Sequence, residues 1–248
     1  MSTEPNVIAL ANEAYERVAT KVVAFSEAYI FVLEGSVKLR QTLRELADTS
    51  AENEPVTIEP KSMMASMLRL SRLLAKSEME FEEYFRSILF VDLISSTESY
   101  FSDLIRAVIR QYPQKAGRIQ FYLVDILNAA DKNELVARAA DTYVQKLMYE
   151  KPEDYLEKLC DILAISAEPV KEKWPEFIEA KARRDLGVHN KWTCNSTYIR
   201  KVTAAGLAFT GMEGDRMSPK DLEYCEGITE AILKIAGSIH RQVVEKYS

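Results

Sequence analysis

Apolar residues recur at alternating steps of three and four from Ile8 onward: Ala11, Tyr15, Val18, Val22, Phe25, Tyr29, Val32, Leu39, Leu43 and Leu46, with Ser36 the one polar gap. Such steps follow one face of a helix that turns every 3.6 residues, so the pattern predicts a heptad-striped helix. If it runs unbroken past Gly35, where a kink is the alternative, it is on the order of 60 Å long. From Asp48 to Pro60 the chain carries Asp48, Glu52, Glu54 and Glu59 with no base, plus Pro55 and Pro60, which reads as an acidic connector. A second stripe, Met67, Leu70, Leu74, Phe81, Phe85 and Ile88, continues through Phe101, Leu104, Ile105, Val108, Ile109 and Tyr112 to a stop at Pro113. Two long helices flanking a connector pack most economically as a hairpin.

Beyond Gly117 the pattern shortens, and it predicts helices over 117–128, 131–149, 152–165 and 169–186, with Pro152 and Pro169 in first turns. Near the carboxyl end, Ser218 suits an N-cap, with Pro219 in the first turn and Asp221 at the third position. Leu222, Cys225, Ile228, Ile232, Ile235, Ile239 and Val243 then form the buried face. No segment alternates as a strand does. The expected fold is an all-α helical bundle, with residues 1–76 a long amino-terminal hairpin or extension and 77–248 a helical core.

Composition narrows the class. At 248 residues, 47% hydrophobic and 28% charged, the chain can bury a large core. The start, Met1 to Asn6, has neither the basic residues nor the apolar run of a signal peptide, and no apolar stretch approaches the roughly 20 residues that span a bilayer. A soluble cytoplasmic protein without a membrane partner is expected. Cys160, Cys194 and Cys225 are widely spaced and odd in number, which suits reduced thiols rather than a disulfide framework or a zinc site. The net charge of −6 speaks against indiscriminate coating of nucleic acid. That charge is unevenly spread: Lys181, Arg183, Arg184, Lys191, Arg200 and Lys201 face only Asp185 within 181–201, a segment of +5 that leaves about −11 elsewhere. Such polarity can steer a polyanion to one place.

Chemistry-bearing residues are few. His189 and His240 form no metal-binding pair, so a metal site would need carboxylates alone, and neither metal nor cofactor is expected. Cys194 lies five residues after His189, but buried, inert thiols are the commoner outcome. His240 falls inside the last helix and reads as a partly exposed helical histidine. Trp174 and Trp192 suit packing against neighbouring helices, and Trp192 is the better candidate for base stacking because it follows the basic pair.

The run Arg183-Arg184-Asp185-Leu186-Gly187-Val188-His189-Asn190-Lys191-Trp192, then Tyr198-Ile199-Arg200-Lys201, carries the strongest signal. Together with the upstream helix Phe90 to Phe101 it resembles the HEPN superfamily of all-helical proteins, over roughly residues 78–205 and most closely the larger members found in bacterial toxin–antitoxin and defence systems. That family's signature is an arginine, usually a polar residue, then a histidine after four to six intervening positions. The resemblance implies metal-independent RNA cleavage by a homodimer whose two motifs share a groove. Carried onto this chain, the catalytic pair is Arg184 and His189. Arg183 also satisfies the wider spacing, but Asp185 supplies the expected polar neighbour only to Arg184. Glu98 on the upstream helix, Asp185 and Asn190 become supporting residues. Arg183, Lys191, Trp192, Arg200 and Lys201 become RNA-binding ones, and an antitoxin or regulatory protein becomes an expected partner. The amino-terminal hairpin is longer than a minimal member needs, and Asp185 stands where asparagine is often found.

The pair makes chemical sense without the name. Histidine exists in both protonation states near neutral pH and can move a proton. Arginine stays charged and presents a planar fork to phosphate oxygens. Five positions turn a straight helix by about 500°, so Arg184 and His189 share no face unless Gly187 ends or bends the helix. Two other readings stand beside the enzyme: a non-catalytic helical protein that binds RNA, nucleotide or a protein partner, and a purely structural bundle with a basic helix end.

Overall fold

The computed structural model describes residues 6–49, 81–219 and 222–248, of which 29–49, 81–82 and 153 are described by backbone alone. Among them lie α1 (Val7–Thr49), α2 (Phe81–Gln111), α3 (Leu123–Asn128), α4 (Lys132–Met148), α5 (Pro152–Leu163), α6 (Trp174–His189), α7 (Ser196–Ala204) and α8 (Leu222–Tyr247). No strand occurs among the described residues, only a single antiparallel bridge between Thr193 and Arg216. The chain is all-α. The acidic connector beyond Thr49, the apolar positions Met67, Leu70 and Leu74, and the 76/77 boundary all fall outside the described residues.

Helix α1 passes Gly35 without interruption. It runs antiparallel to α2: the Val7 amide donates to Gln111 Oε1 at 3.1 Å, Arg17 pairs with Asp103 at 2.6 Å and Lys21 with Asp92 at 2.8 Å. These exposed ion pairs set register more than they stabilise. The stripe does the latter, since Ala11, Val18, Val22 and Phe25 are buried and belong to one continuous core with α2, α4, α5, α6 and α8. Each fully buried Val, Leu, Ile or Phe contributes about 1.5–3 kcal/mol.

Helix α2 is the axis of the bundle, touching α1, α4, α5 and α6. Phe90, Ile94, Phe101, Leu104, Ile105, Val108 and Ile109 are wholly buried along it. Helix α8 closes the far side with Cys225, Ile228, Ile232, Ile235, Ile239 and Val243 inward, as its stripe predicts, while Leu222 is exposed. The Tyr100 hydroxyl on α2 donates to the Ala236 carbonyl of α8, and the His240 ring stacks on Tyr15 of α1 at 4.4 Å.

Several local expectations are corrected. Over 117–128 only Leu123–Asn128 is helical, preceded by a 3-10 turn at Pro113–Ala116, and Leu123, Val124, Ile126 and Leu127 point to solvent. Apolar content in that stretch did not come with a packing partner. Pro169 sits in a separate 3-10 turn, Glu168–Val170, and the helix expected from 169 begins at Trp174 with Pro175 in its first turn. Ser218 is buried and its Oγ finds no hydrogen-bond partner among the described residues, while Asp221, expected at the third position of the same cap, lies outside them.

Candidate functional site

Helix α6 carries the motif, and its packing against α2 decides where each residue points. The two helices are antiparallel: Phe177 and Trp174 meet Phe101, Lys181 and Arg184 meet Glu98, and Trp192, just past the helix, meets Phe90. Gly187 neither ends nor bends α6, which continues to His189. Its role is close approach. A Cβ at Gly187 would run into the Trp192 ring, so only glycine lets the indole fold back onto the helix. The fold-back uses two consecutive left-handed residues, Lys191 (φ 51°) and Trp192 (φ 62°), an arrangement unfavourable for side chains with a Cβ. It is pinned by the Trp192 amide on the Leu186 carbonyl at 3.0 Å and by Asn190 Nδ2 donating to the Thr193 carbonyl at 2.6 Å. Asn190 therefore shapes the turn. Trp192, only 4% exposed, is a core residue and does not present a face to a base.

One face of α6 is open in charge rather than in exposure: its Lys181 and Arg184 side chains are 15% and 17% exposed, no more than Arg183 on the other face. Lys181, Arg184 and Val188 follow one another at steps of three and four, and the Glu98 carboxylate of α2 takes both cations, Lys181 on Oε1 and Arg184 on Oε2. The glutamate expected to orient the arginine does touch it. Lys181 was not legible as a partner, since nothing in the sequence says which helix Glu98 faces; only its place one turn before Arg184 hinted at a shared stripe. Burial pushes the Lys181 ammonium down from the usual lysine range, with Asp185 and Tyr149 opposing. Asp185 accepts from Lys201 of α7 at 3.0 Å and lies 3.6 Å from Arg184 Nε, which has no hydrogen bond among the described residues. His189 stands one turn beyond Asp185 and is exposed, like Lys191 and Arg200. Because α6 is unbroken, Arg184 and His189 remain about 140° apart around its axis, with Asp185 between them. The face thus gathers three cations and two carboxylates, with the imidazole at its edge. A groove of about 480 Å³ adjoins it, lined by Tyr84, Ile88, Val91, Gly187, Val188 and Trp192.

The other face is closed. Glu179 Oε1 accepts from Arg183 Nε at 2.7 Å and from the Tyr198 hydroxyl, and Oε2 from the Tyr224 hydroxyl at 2.6 Å. The Arg183 guanidinium lies 4.0 Å over the Tyr224 ring. Burial, then the nearby Glu179 carboxylate, pushes both phenols up from their usual range. Arg183, expected to bind RNA, is consumed by this network, about 100° around α6 from Arg184. Cys194 is buried and its thiol is likewise pushed up by burial, the condition of an inert thiol.

Among the described residues no three His, Cys, Asp or Glu side chains gather as a metal site would require, and no helix is long and apolar enough to cross a membrane. No family model matches the chain, and neither a curated protein nor a solved structure matches it.

Proposed function

We propose that this chain is a metal-independent endoribonuclease of the HEPN type, a toxin or anti-phage defence effector that works as a cytoplasmic homodimer and is restrained by an antitoxin or regulatory protein. The observation that carries the reading is the open face of α6, where Arg184 is held by Glu98 while His189 stands exposed at the helix end across Asp185. In the proposed reaction a base removes the ribose 2′-hydroxyl proton, the 2′-oxygen bonds to phosphorus, and the bond to the 5′-oxygen breaks as that oxygen takes a proton. The products are a cyclic phosphate and a 5′-hydroxyl. His189 serves the proton transfers, and Arg184 stabilises the charge gathering on the phosphorane. Lys201, Arg200 and Lys191 line the approach for neighbouring phosphates. The 140° offset between the pair suits a groove completed by a second copy, in which each motif supplies part of the site.

One observation favours a second reading. Arg184 is already engaged by a carboxylate, which suits a non-catalytic helical protein that binds RNA, nucleotide or a protein partner through the same face. Induced expression separates the two. The enzyme reading expects growth arrest and fragmented cellular RNA with the wild type and neither with Arg184→Ala at equal helical content and oligomeric state. Intact RNA with both proteins moves the assignment to the binding reading.

A further inference from the structure

The Glu98 carboxylate is shared by two cations although one would neutralise it. Glu98, Lys181 and Arg184 have side chains only 12%, 15% and 17% exposed, so solvent screens their charges weakly. A Glu98–Arg184 pair alone would be neutral and a poor attractor for phosphate. Lys181, one turn earlier on α6, supplies the charge that Glu98 would otherwise take from Arg184. We infer that Lys181 is a positioning residue that balances Glu98, so that Arg184 is held in place by the carboxylate yet keeps an uncompensated charge for a phosphodiester. This inference rests on the assignment of phosphate recognition to the open face, and it adds a role for a residue outside the arginine–histidine pair.

Two alternatives make different demands. If Lys181 touched the phosphate itself, its loss could not be repaired at Glu98. If it only supported packing, neither RNA affinity nor its salt dependence would follow the charge count. If Lys181 balances Glu98, removing the carboxylate's charge repairs the loss of the lysine's.

The test measures binding of a 2′-O-methyl RNA oligonucleotide, which lacks the attacking hydroxyl, to full-length wild type, Lys181→Met, Glu98→Gln, the double variant and Lys181→Arg, each across a salt series. The expected result is about tenfold weaker binding for Lys181→Met with a shallower salt dependence. Glu98→Gln should bind at least as tightly as wild type, Lys181→Arg near wild type, and the double variant within about threefold of it. A double variant as weak as Lys181→Met overturns the inference while leaving the ribonuclease proposal intact. Binding without cleavage of unmodified RNA by the wild type overturns the ribonuclease proposal and leaves the inference standing. A wild type that binds no RNA at any salt overturns both. Thermal melts of all five proteins identify any variant that fails to fold, in which case Lys181→Arg against Glu98→Gln decides the matter, equal or tighter binding by both being required.

Discussion

Arg183 and Arg184 are neighbours in sequence and opposites in structure. Arg183 lies in a closed network where every oxygen of Glu179 is used by Arg183, Tyr198 or Tyr224. Arg184 lies on a face where cations outnumber carboxylates and its Nε makes no hydrogen bond among the described residues. A satisfied buried network holds α6, α7 and α8 in one arrangement, whereas an unbalanced one retains charge for something outside the chain. The 100° between successive helical residues is enough to give one arginine to stability and the other to the site.

Glu179 is where the difference between the two arginines is largest. Glu179→Ala leaves the part-buried Arg183 guanidinium with only the Met217 carbonyl and unpairs two phenols, and it should lower the unfolding free energy by about 3–5 kcal/mol in chemical denaturation. A loss below about 1 kcal/mol would mean that the closed face does not hold the bundle. The arginines should then show inverse profiles. Arg184→Ala is expected to cut RNA cleavage by about 100- to 1000-fold while costing only about 1–2 kcal/mol of stability, because Glu98 keeps Lys181. Arg183→Ala is expected to destabilise more and to leave cleavage per folded molecule near wild type. Similar profiles for the two would dissolve the distinction.

Gly187→Ala sharpens the boundary between the faces. Its Cβ meets the Trp192 ring, so displacement of the indole should cost about 1–3 kcal/mol and raise tryptophan exposure in quenching experiments. The smallest effect lies away from α6. Burial lowers the His240 pKa, so the folded chain resists a proton that the unfolded chain accepts near pH 6.5. The stability this histidine contributes is complete above that value and is lost as pH falls toward its lower folded pKa. His240→Phe should therefore flatten part of the decline in melting temperature between pH 7 and 5, a background to subtract before an acid effect is assigned to His189.

Much of the fold could be read from periodicity. The stripes of α1, α2 and α8 put Val18, Phe101 and Ile235 inside because a long apolar stripe has few alternatives to burial. The exposed Leu123 and Leu127 show the limit, since a short apolar run states what it contains but not what covers it. At the site, the resemblance pointed to Arg184, His189 and Glu98, and the structure places the Glu98 carboxylate against Arg184. It could not separate Arg183 from Arg184 by environment, because that depends on which helices flank α6. Trp192 was misplaced because a fold-back through two left-handed residues onto a glycine leaves no periodic trace, and the same Gly187 that reads as a helix end serves as the seat of the indole. Lys181 required the antiparallel register of α2 and α6, which brings residues 83 positions apart into contact.

If the open face of α6 performs the proposed chemistry, His189 is the residue on which it depends most. The deciding measurement is the rate of RNA cleavage, in the presence of a metal chelator, by purified wild type and His189→Ala. Since His189 is exposed, its replacement should leave stability within about 0.5 kcal/mol. The prediction is chelator-resistant cleavage by the wild type, with cyclic phosphate ends, and a fall of at least about 100-fold in the variant. Equal cleavage by the two proteins, or cleavage that the chelator abolishes, would contradict it.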